Sequence, residues 1–124
     1  MNNGKKILFL IGDGDNIRHT VESYLFRHQF EELNKFSEVL SKAILNIKEM
    51  IIADMEAKVI LAGGDDILFT IHKGTYDKEQ VINIMKYFQS HTGCTMSFGV
   101  GENIESAYLN LMKAKATGKA KIID

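Results

Sequence analysis

Two short acidic segments contain the residues of this sequence that are best suited to chemistry. The first, Gly-Asp-Gly-Asp, occupies positions 12–15, and the second, Gly-Gly-Asp-Asp, occupies positions 63–66. Carboxylates brought together repel one another, and their pKa values rise unless a cation compensates the charge. Hard oxygen ligands of this kind suit Mg²⁺ or Mn²⁺, whose coordination shells phosphate oxygens and water can complete. Two such ions about 3.5–4 Å apart can activate a ribose hydroxyl and stabilise a leaving pyrophosphate.

Each segment alone also fits an ordinary turn, because Asp-Gly and Gly-Asp pairs are common in turns. A calcium-binding loop that starts at Asp13 is excluded, since Arg18 stands at its glycine position and Tyr24 at its bidentate glutamate position. A Walker loop built around Lys119 is excluded as well, since Ala120 stands where that loop needs serine or threonine. A metal site therefore depends on whether the fold brings the two segments together.

The elements that must position these segments alternate between strand and helix patterns. Continuous apolar or alternating runs predict five strands, and apolar residues three or four apart predict four helices. Asp77 and Asn103 are suited to begin two of the helices, and Gly93 is suited to end one. The predicted order is β-α-α-β-β-α-β-α-β, with strands at 6–11, 57–62, 67–72, 94–100 and 121–123 and helices that begin near Asn16, Phe30, Asp77 and Asn103.

The centre of this order, β-α-β-β-α-β, is the split βαβ arrangement of ferredoxin-like folds. We therefore predict one α+β domain over residues 1–124, with an antiparallel sheet and helices on one face. The first strand precedes one acidic segment, and the hairpin between the second and third strands carries the other. Since these strands are neighbours in the middle of such a sheet, both segments should meet at one edge, which favours a metal site over two unrelated turns.

Composition excludes several classes of protein. Lys and Arg number 15 against 16 Asp and Glu, and a net charge of −1 argues against a long nucleic acid as partner. The longest apolar run, Ile7–Ile11, is too short to span a membrane, and residues 1–6 lead into no stretch of signal-peptide length. The single cysteine, Cys94, excludes an internal disulfide and a Cys-rich zinc site. The four histidines lack metal-ligand spacing and are predicted at the surface. These features predict a cytosolic protein without a membrane partner.

The two segments and their surroundings resemble the palm domain of type III CRISPR polymerase subunits, which make cyclic oligoadenylates from ATP. The resemblance rests on the Gly-Gly-Asp-Asp hairpin at 63–66 and on the strand that ends Gly-Asp-Gly-Asp-Asn-Ile at 12–17. GGDEF diguanylate cyclases are more distant relatives. Because the resemblance covers essentially the whole chain, the sequence is most similar to the minimal CRISPR polymerases (mCpol) of bacterial anti-phage systems. It implies a metal-dependent nucleotidyltransferase that makes a cyclic di- or oligonucleotide from ATP, and a separate effector protein that senses the product.

The resemblance also assigns roles to individual residues. It implies a site with two ions of Mg²⁺ or Mn²⁺, and it gives Asp15 a catalytic role in orienting the ribose or assisting proton transfer. For Lys115 and Lys119, solvated lysines near a helix end are an alternative, and a structural role is an alternative for Ser97. The implied metal ligands are the side chains of Asp13, Asp65 and Asp66 and the carbonyl of Gly14, and the implied nucleotide-binding residues are Gly14, Asn16, Gly63, Gly64, Ser97, Lys115 and Lys119.

Two further expectations concern the base and the assembly. Guanine-specific GGDEF cyclases read the base with an asparagine at the position of Val21, which cannot pair with a guanine edge, so adenine is expected. One acidic site activates one hydroxyl, whereas a cyclic dinucleotide needs two bonds, so a homodimer of facing palms is expected. Tyr24, Phe26 and Phe30 are candidates for its contact, with a place in the hydrophobic core as the alternative. A catalytically inactive palm that signals through a partner, or a cyclic mononucleotide cyclase, remains an alternative.

Overall fold

The structure, a computed structural model, describes residues 6–124. The prediction that no leader precedes the domain also concerns residues 1–5, which lie outside the described residues. Within the described range, no helix combines the length and the apolarity that crossing a bilayer requires. The predicted order of elements is confirmed: β1 (Ile7–Gly14), α1 (Ile17–Phe26), α2 (Phe30–Asp54), β2 (Lys58–Gly63), β3 (Asp66–His72), a 3₁₀ turn (Lys73–Thr75), α3 (Lys78–Thr92), β4 (Met96–Gly101), α4 (Ile104–Ala116) and β5 (Ile122–Ile123).

Strand β1 lies in the middle of a five-stranded sheet with the order β2-β3-β1-β4-β5. It pairs antiparallel with both β3 and β4, and β2 pairs antiparallel with β3. Strand β5 pairs parallel with β4, because the chain crosses back through helix α4 between the two strands. The predicted α+β, ferredoxin-like fold class is confirmed. The complete sheet is mixed rather than antiparallel throughout, because of the two-residue β5.

One face of the sheet carries the main hydrophobic core. Alternate residues of the three central strands point to this face, and Leu10, Phe69 and Phe98 are fully buried there. The rings of Phe69 and Phe98 meet edge to face, with centroids 6.4 Å apart. Gly12 leaves room for this contact, since a Cβ at that position would lie 2.5 Å from the Phe98 ring. Helices α2 and α3 cover this face with apolar stripes whose residues are three or four apart.

Helix α4 packs on the opposite face of the sheet, against β4. Gly99 and Gly101 make this possible, since a Cβ on Gly99 would lie 2.1 Å from the Ala107 carbonyl oxygen and one on Gly101 would lie 2.5 Å from the Ala107 nitrogen. The helix buries Ala107, Leu111 and Ala114 in this contact. Helices on one face were predicted, and that placement holds for α2 and α3. It does not hold for α4, because Gly99 and Gly101 let that helix approach the opposite face of β4 closely.

Helices α3 and α4 begin and end where local signals place them. Asp77 accepts a hydrogen bond from the Glu79 N–H at 3.0 Å at the start of α3, and Gly93 ends that helix with a φ of 77°. Asn103 and Ser106 form a reciprocal capping box at the start of α4. This fixed start determines where the last turn of α4 lies, and that turn reaches the end of β1.

We predict that Gly99→Ala destabilises the domain by about 3 kcal/mol, because the new methyl group would force the α4 backbone away from β4. The free energy of unfolding can be measured by urea denaturation followed by circular dichroism. Gly74→Ala is the matched control, since a Cβ there would have no heavy atom within 4 Å, and its effect should stay within about 0.5 kcal/mol. Equal stability of the two variants would contradict the close packing of α4 on β4.

Candidate metal and nucleotide site

Three carboxylates meet where β1 ends beside the β2–β3 hairpin. The register of β1 and β3 places Asp13 directly opposite Asp66, and Asp65 lies in the turn just before β3. One oxygen from each of the three carboxylates lies within 4.8 Å of the other two. The Gly14 N–H donates to the Asp65 carbonyl at 2.8 Å and holds the turn against the end of β1. The structure thus brings the three predicted carboxylate ligands together at one edge of the sheet, with Gly14 beside them.

Glycines keep the surface beside these carboxylates open. Gly64 has a φ of +61°, in the left-handed region that glycine adopts without a steric penalty, within the two-residue connection between β2 and β3. A Cβ on Gly63 or on Gly64 would have no heavy atom within 4 Å. Both residues are exposed. A ligand can therefore approach the hairpin from this side, and the nucleotide contact of these glycines stays a prediction.

The pKa values of Asp65 and Asp66 are raised at this edge. Partial burial raises the pKa of Asp65 most, and the neighbouring charge of Asp13 raises it further. Burial, followed by the charge of Asp13, likewise raises the pKa of Asp66. A divalent cation would offset this repulsion, and carboxylate and carbonyl oxygens are the ligands that Mg²⁺ and Mn²⁺ prefer. The donor atoms present therefore fit the metal that the sequence predicts.

Lys115, in the last turn of α4, reaches the end of β1. Its ammonium lies 2.9 Å from the Gly14 carbonyl and 2.8 Å from a carboxylate oxygen of Asp15. It also lies 3.3 Å from both the carbonyl and a carboxylate oxygen of Asp13. Only 21% of the side chain is exposed, so the alternative of a solvated lysine does not hold for Lys115. Lys119 is half-buried and donates to the side chain of Asn16.

Asp15 is not one of the three clustered carboxylates and lies in a buried network. Its carboxylate accepts hydrogen bonds from Thr95 at 2.7 Å, from Ser97 at 2.8 Å and from the Ala120 N–H at 3.1 Å, besides the bond from Lys115. Burial raises its pKa, but the hydrogen bonds from Lys115, Thr95 and Ser97 outweigh burial and lower the pKa overall. The carboxylate is therefore ionised and fully compensated by the protein.

This network bears on two predicted roles. The catalytic role of Asp15 stays a prediction, and here its carboxylate is only 1% exposed and bonded within the protein. Ser97 is fully buried and bonds Asp15 and the Ala120 N–H, which favours the structural alternative for this residue. Asp15 and Ser97 therefore support the site from its buried side.

The segment after α4 has an unusual backbone that this network holds in place. Gly118, Lys119 and Ala120 have φ values of 116°, 65° and 52°. The left-handed conformation costs a residue other than glycine about 1–2 kcal/mol. The Ala120 N–H donates to both Asp15 and Ser97, and the Lys119 N–H donates to the Ala114 carbonyl at 2.9 Å. These bonds offset the strain and keep Lys119 beside the start of α1.

A pocket of about 420 Å³ lies next to the carboxylates, a volume typical of small-molecule sites. The N-terminus of α1 forms part of its wall, where helix N–H groups without intrahelical acceptors favour anions. The predicted site residues do not include four of its lining residues, Ile17, Arg18, His19 and Glu22, although a helix that begins directly after the first acidic segment must flank the site. Its lining residues are Asp13, Gly14, Asn16, Ile17, Arg18, His19, Glu22, Asp65 and Lys119.

Comparison with known proteins places this geometry in context. Residues 9–124 match the family model described as mCpol, minimal CRISPR polymerase domain. None of the curated proteins compared with the chain matches it.

Solved structures share the fold at low sequence identity. The Csm1–Csm4 cassette in complex with one ATP superposes with a TM-score of 0.76 and 21% identity over 95% of this chain and 20% of the matched chain. The cassette in complex with cA4 gives 0.74 and 20% over 94% of this chain and 20% of the matched chain. Csm1 in T. onnurineus gives 0.58 and 18% with the same coverage. The chain thus spans about a fifth of the length of these proteins and has the same palm-like fold as part of them.

We predict that Asp15→Asn lowers the free energy of unfolding by about 3 kcal/mol, because it leaves the Lys115 ammonium and the Ala120 N–H facing an amide that cannot accept all of their bonds. The measurement is urea denaturation of both proteins at neutral pH. Asp54→Asn, at an exposed position in the last turn of α2, is the control and should change stability by no more than about 0.5 kcal/mol. A fully stable Asp15→Asn protein would contradict the structural role of this carboxylate.

Proposed function

The chain belongs to the family of minimal CRISPR polymerase domains, and we propose that it is a metal-dependent nucleotidyltransferase that joins nucleotides from ATP into a cyclic di- or oligonucleotide. The observation that carries the proposal is the meeting of Asp13, Asp65 and Asp66 within 4.8 Å, beside a pocket large enough for a nucleotide. We further propose that the product is a signal in anti-phage defence, sensed by a separate effector protein.

Asp13, Asp65 and Asp66 would hold one or two ions of Mg²⁺ or Mn²⁺, with the Gly14 carbonyl as a further ligand. Metal bound there would supply charge for activating a ribose hydroxyl and for stabilising the pyrophosphate that leaves the α-phosphate. The three carboxylates sit on β1 and on the hairpin paired with it, so the central strands of the sheet determine their spacing. Positioning on such rigid elements is what a reaction between two bound groups requires.

The pocket walls suit a polyphosphate. The first turn of α1 contributes N–H groups, and Arg18 and Lys119 add positive charge. Both cations line the same pocket as Asp13 and Asp65, so a phosphate beside these carboxylates would have positive charge in the same pocket. Complexes of the Csm1–Csm4 cassette with one ATP and with cA4 support a nucleotide as ligand of this fold.

We propose adenine as the base. Val21 occupies the position at which guanine-specific cyclases carry an asparagine, and here it is half-buried and packs against the hydrophobic core. An apolar side chain at this position leaves the polar edge of guanine without a partner. The ATP and cA4 complexes of the Csm1–Csm4 cassette support the same base.

We propose a homodimer in which two copies present their sites to each other, since one site activates one hydroxyl and ring closure needs two bonds. Phe26 is 81% exposed and Phe30 is 58% exposed, so both remain candidates for the contact. Tyr24 does not, because its half-buried ring packs against Phe36, with centroids 6.0 Å apart. Phe26 and Phe30 lie where α1 ends and α2 begins. The first turn of α1 borders the pocket.

The proposal predicts that the purified protein, given each nucleoside triphosphate with Mg²⁺ or Mn²⁺, releases pyrophosphate fastest from ATP and forms a cyclic product identifiable by mass spectrometry. Asp13→Ala, Asp65→Ala and Asp66→Ala should each retain less than about a tenth of this rate, because each removes a metal ligand. Their melting temperatures should hold or rise, since each change relieves carboxylate repulsion.

Controls make this experiment decisive. The exposed Asp54→Asn variant should keep the wild-type rate, which separates loss of a ligand from loss of negative charge. A cyclic mononucleotide as the sole product would replace the proposed reaction with a cyclase reaction. Absence of pyrophosphate release from all four triphosphates, in folded protein with metal present, would exclude the enzymatic function and leave a nucleotide-binding palm.

For the dimer, we predict that mixing wild-type protein with an excess of Asp65→Ala lowers cyclic product by more than dilution does and causes linear dinucleotide to accumulate. A mixed dimer would activate only one of the two hydroxyls. Lys113→Met, an exposed position on α4, is the matched additive and should leave the yield of cyclic product undiminished. A specific rate that is constant on dilution and insensitive to added Asp65→Ala would rule out the dimer.

A further inference from the structure

The contacts of the Lys115 ammonium coincide with atoms that a metal would use. It lies within 3.3 Å of four oxygens, the carbonyls of Asp13 and Gly14 and one carboxylate oxygen each of Asp13 and Asp15. An ammonium has only three N–H donors, so it serves as a small, shared positive charge between these oxygens. Two of them, the Asp13 carboxylate and the Gly14 carbonyl, belong to the candidate metal ligands.

A divalent ion and this ammonium cannot share those oxygens without strong repulsion. Mg²⁺ binds oxygen at about 2.1 Å, and the ammonium lies 2.9 Å from the Gly14 carbonyl oxygen. The two cations would then be at most about 5 Å apart, in a place where Lys115 is mostly shielded from water and screening is weak. Metal entry therefore favours departure of the ammonium from Gly14 and Asp13.

Departure of Lys115 would leave Asp15 hydrogen-bonded, and the arriving divalent ion would supply positive charge nearby. Asp15, the buried partner of the ammonium, keeps the hydrogen bonds from Thr95, Ser97 and the Ala120 N–H. The lysine side chain is flexible and starts from the last turn of α4. Gly14 also lines the pocket that contains Lys119, and a polyphosphate bound there would offer the ammonium new oxygens.

We propose that Lys115 is an exchangeable counter-ion, which neutralises the metal ligands until metal and nucleotide arrive and then transfers to the polyphosphate. This inference rests on the proposed function. Metal alone must displace the ammonium from its oxygens, whereas metal with a polyphosphate provides it with another partner. Metal and nucleotide consequently strengthen each other's binding, and the coupling is equal in both directions.

The test is Lys115→Met, compared with Lys113→Met on the exposed side of the same helix. Mn²⁺ binding to the protein alone is measured by the electron paramagnetic resonance signal of free Mn²⁺. Binding of α,β-methylene ATP is measured by calorimetry at Mn²⁺ concentrations that keep all of the nucleotide in its metal complex. In Lys115→Met the affinity for Mn²⁺ alone should rise about tenfold as the repulsion disappears, and the affinity for the metal–nucleotide complex should fall about tenfold. Lys113→Met should change neither.

The opposite signs distinguish the proposal from simpler roles. A lysine that only supports the fold would weaken both affinities, and one that only binds phosphate would leave the affinity for Mn²⁺ alone unchanged; either result overturns the exchange. Lys115→Gln, which keeps a donor for the Gly14 carbonyl, should give the same signs and guards against a folding defect in Lys115→Met. If wild-type protein and Asp65→Asn bind Mn²⁺ equally weakly, with and without nucleotide, the metal site of the proposed function fails together with the exchange.

Discussion

The concentration of negative charge at the end of β1 is the constraint on which the surrounding structure depends. Asp13, Asp15, Asp65 and Asp66 lie on a central strand or on the hairpin paired with it, and unpaired carboxylates at a sheet end repel one another. The protein divides the task of compensation. It neutralises Asp15 itself, with Lys115, two hydroxyls and a main-chain N–H, and it leaves the other three carboxylates facing an open pocket. One acidic group thus belongs to the scaffold, and three are available to a cation.

That division requires α4 to lie very close to the sheet. Gly99 and Gly101 allow the helix backbone to approach β4 to distances that any Cβ would prevent. This approach lets Lys115 reach the end of β1 and lets the segment 118–120 pass over Asp15. The strained backbone of that segment is tolerated because the Ala120 N–H bonds the buried carboxylate and the Lys119 N–H bonds the Ala114 carbonyl. Packing at Gly99 and Gly101 therefore determines where Lys115 and Lys119 lie.

Most of the fold follows from local patterns, whereas part of the site does not. Alternation and apolar spacing predicted all nine major elements, and the pairing of β1 with the hairpin predicted that Asp13 and Asp66 meet. The same alternation puts Asp13 and Asp15 on one face, where both contact Lys115, but it does not reveal that Thr95, Ser97 and the segment after α4 bury Asp15 alone. The face chosen by α4 depends on contacts of two glycines that only the tertiary structure supplies. The contribution of His19 to the pocket likewise depends on the direction of α1, which periodicity alone leaves open.

The overall charge of the chain explains why compensation has to be local. With 15 basic and 16 acidic residues, the molecule has no general positive field to attract a polyphosphate. The three carboxylates that would hold metal repel such a ligand by themselves, and the nearby cations are few and partly engaged with the protein. A nucleotide and a divalent ion each lower the electrostatic cost of binding the other in such a site. Their mutual dependence therefore follows from the charge arrangement of the palm, and a site of this composition discriminates against either ligand arriving alone.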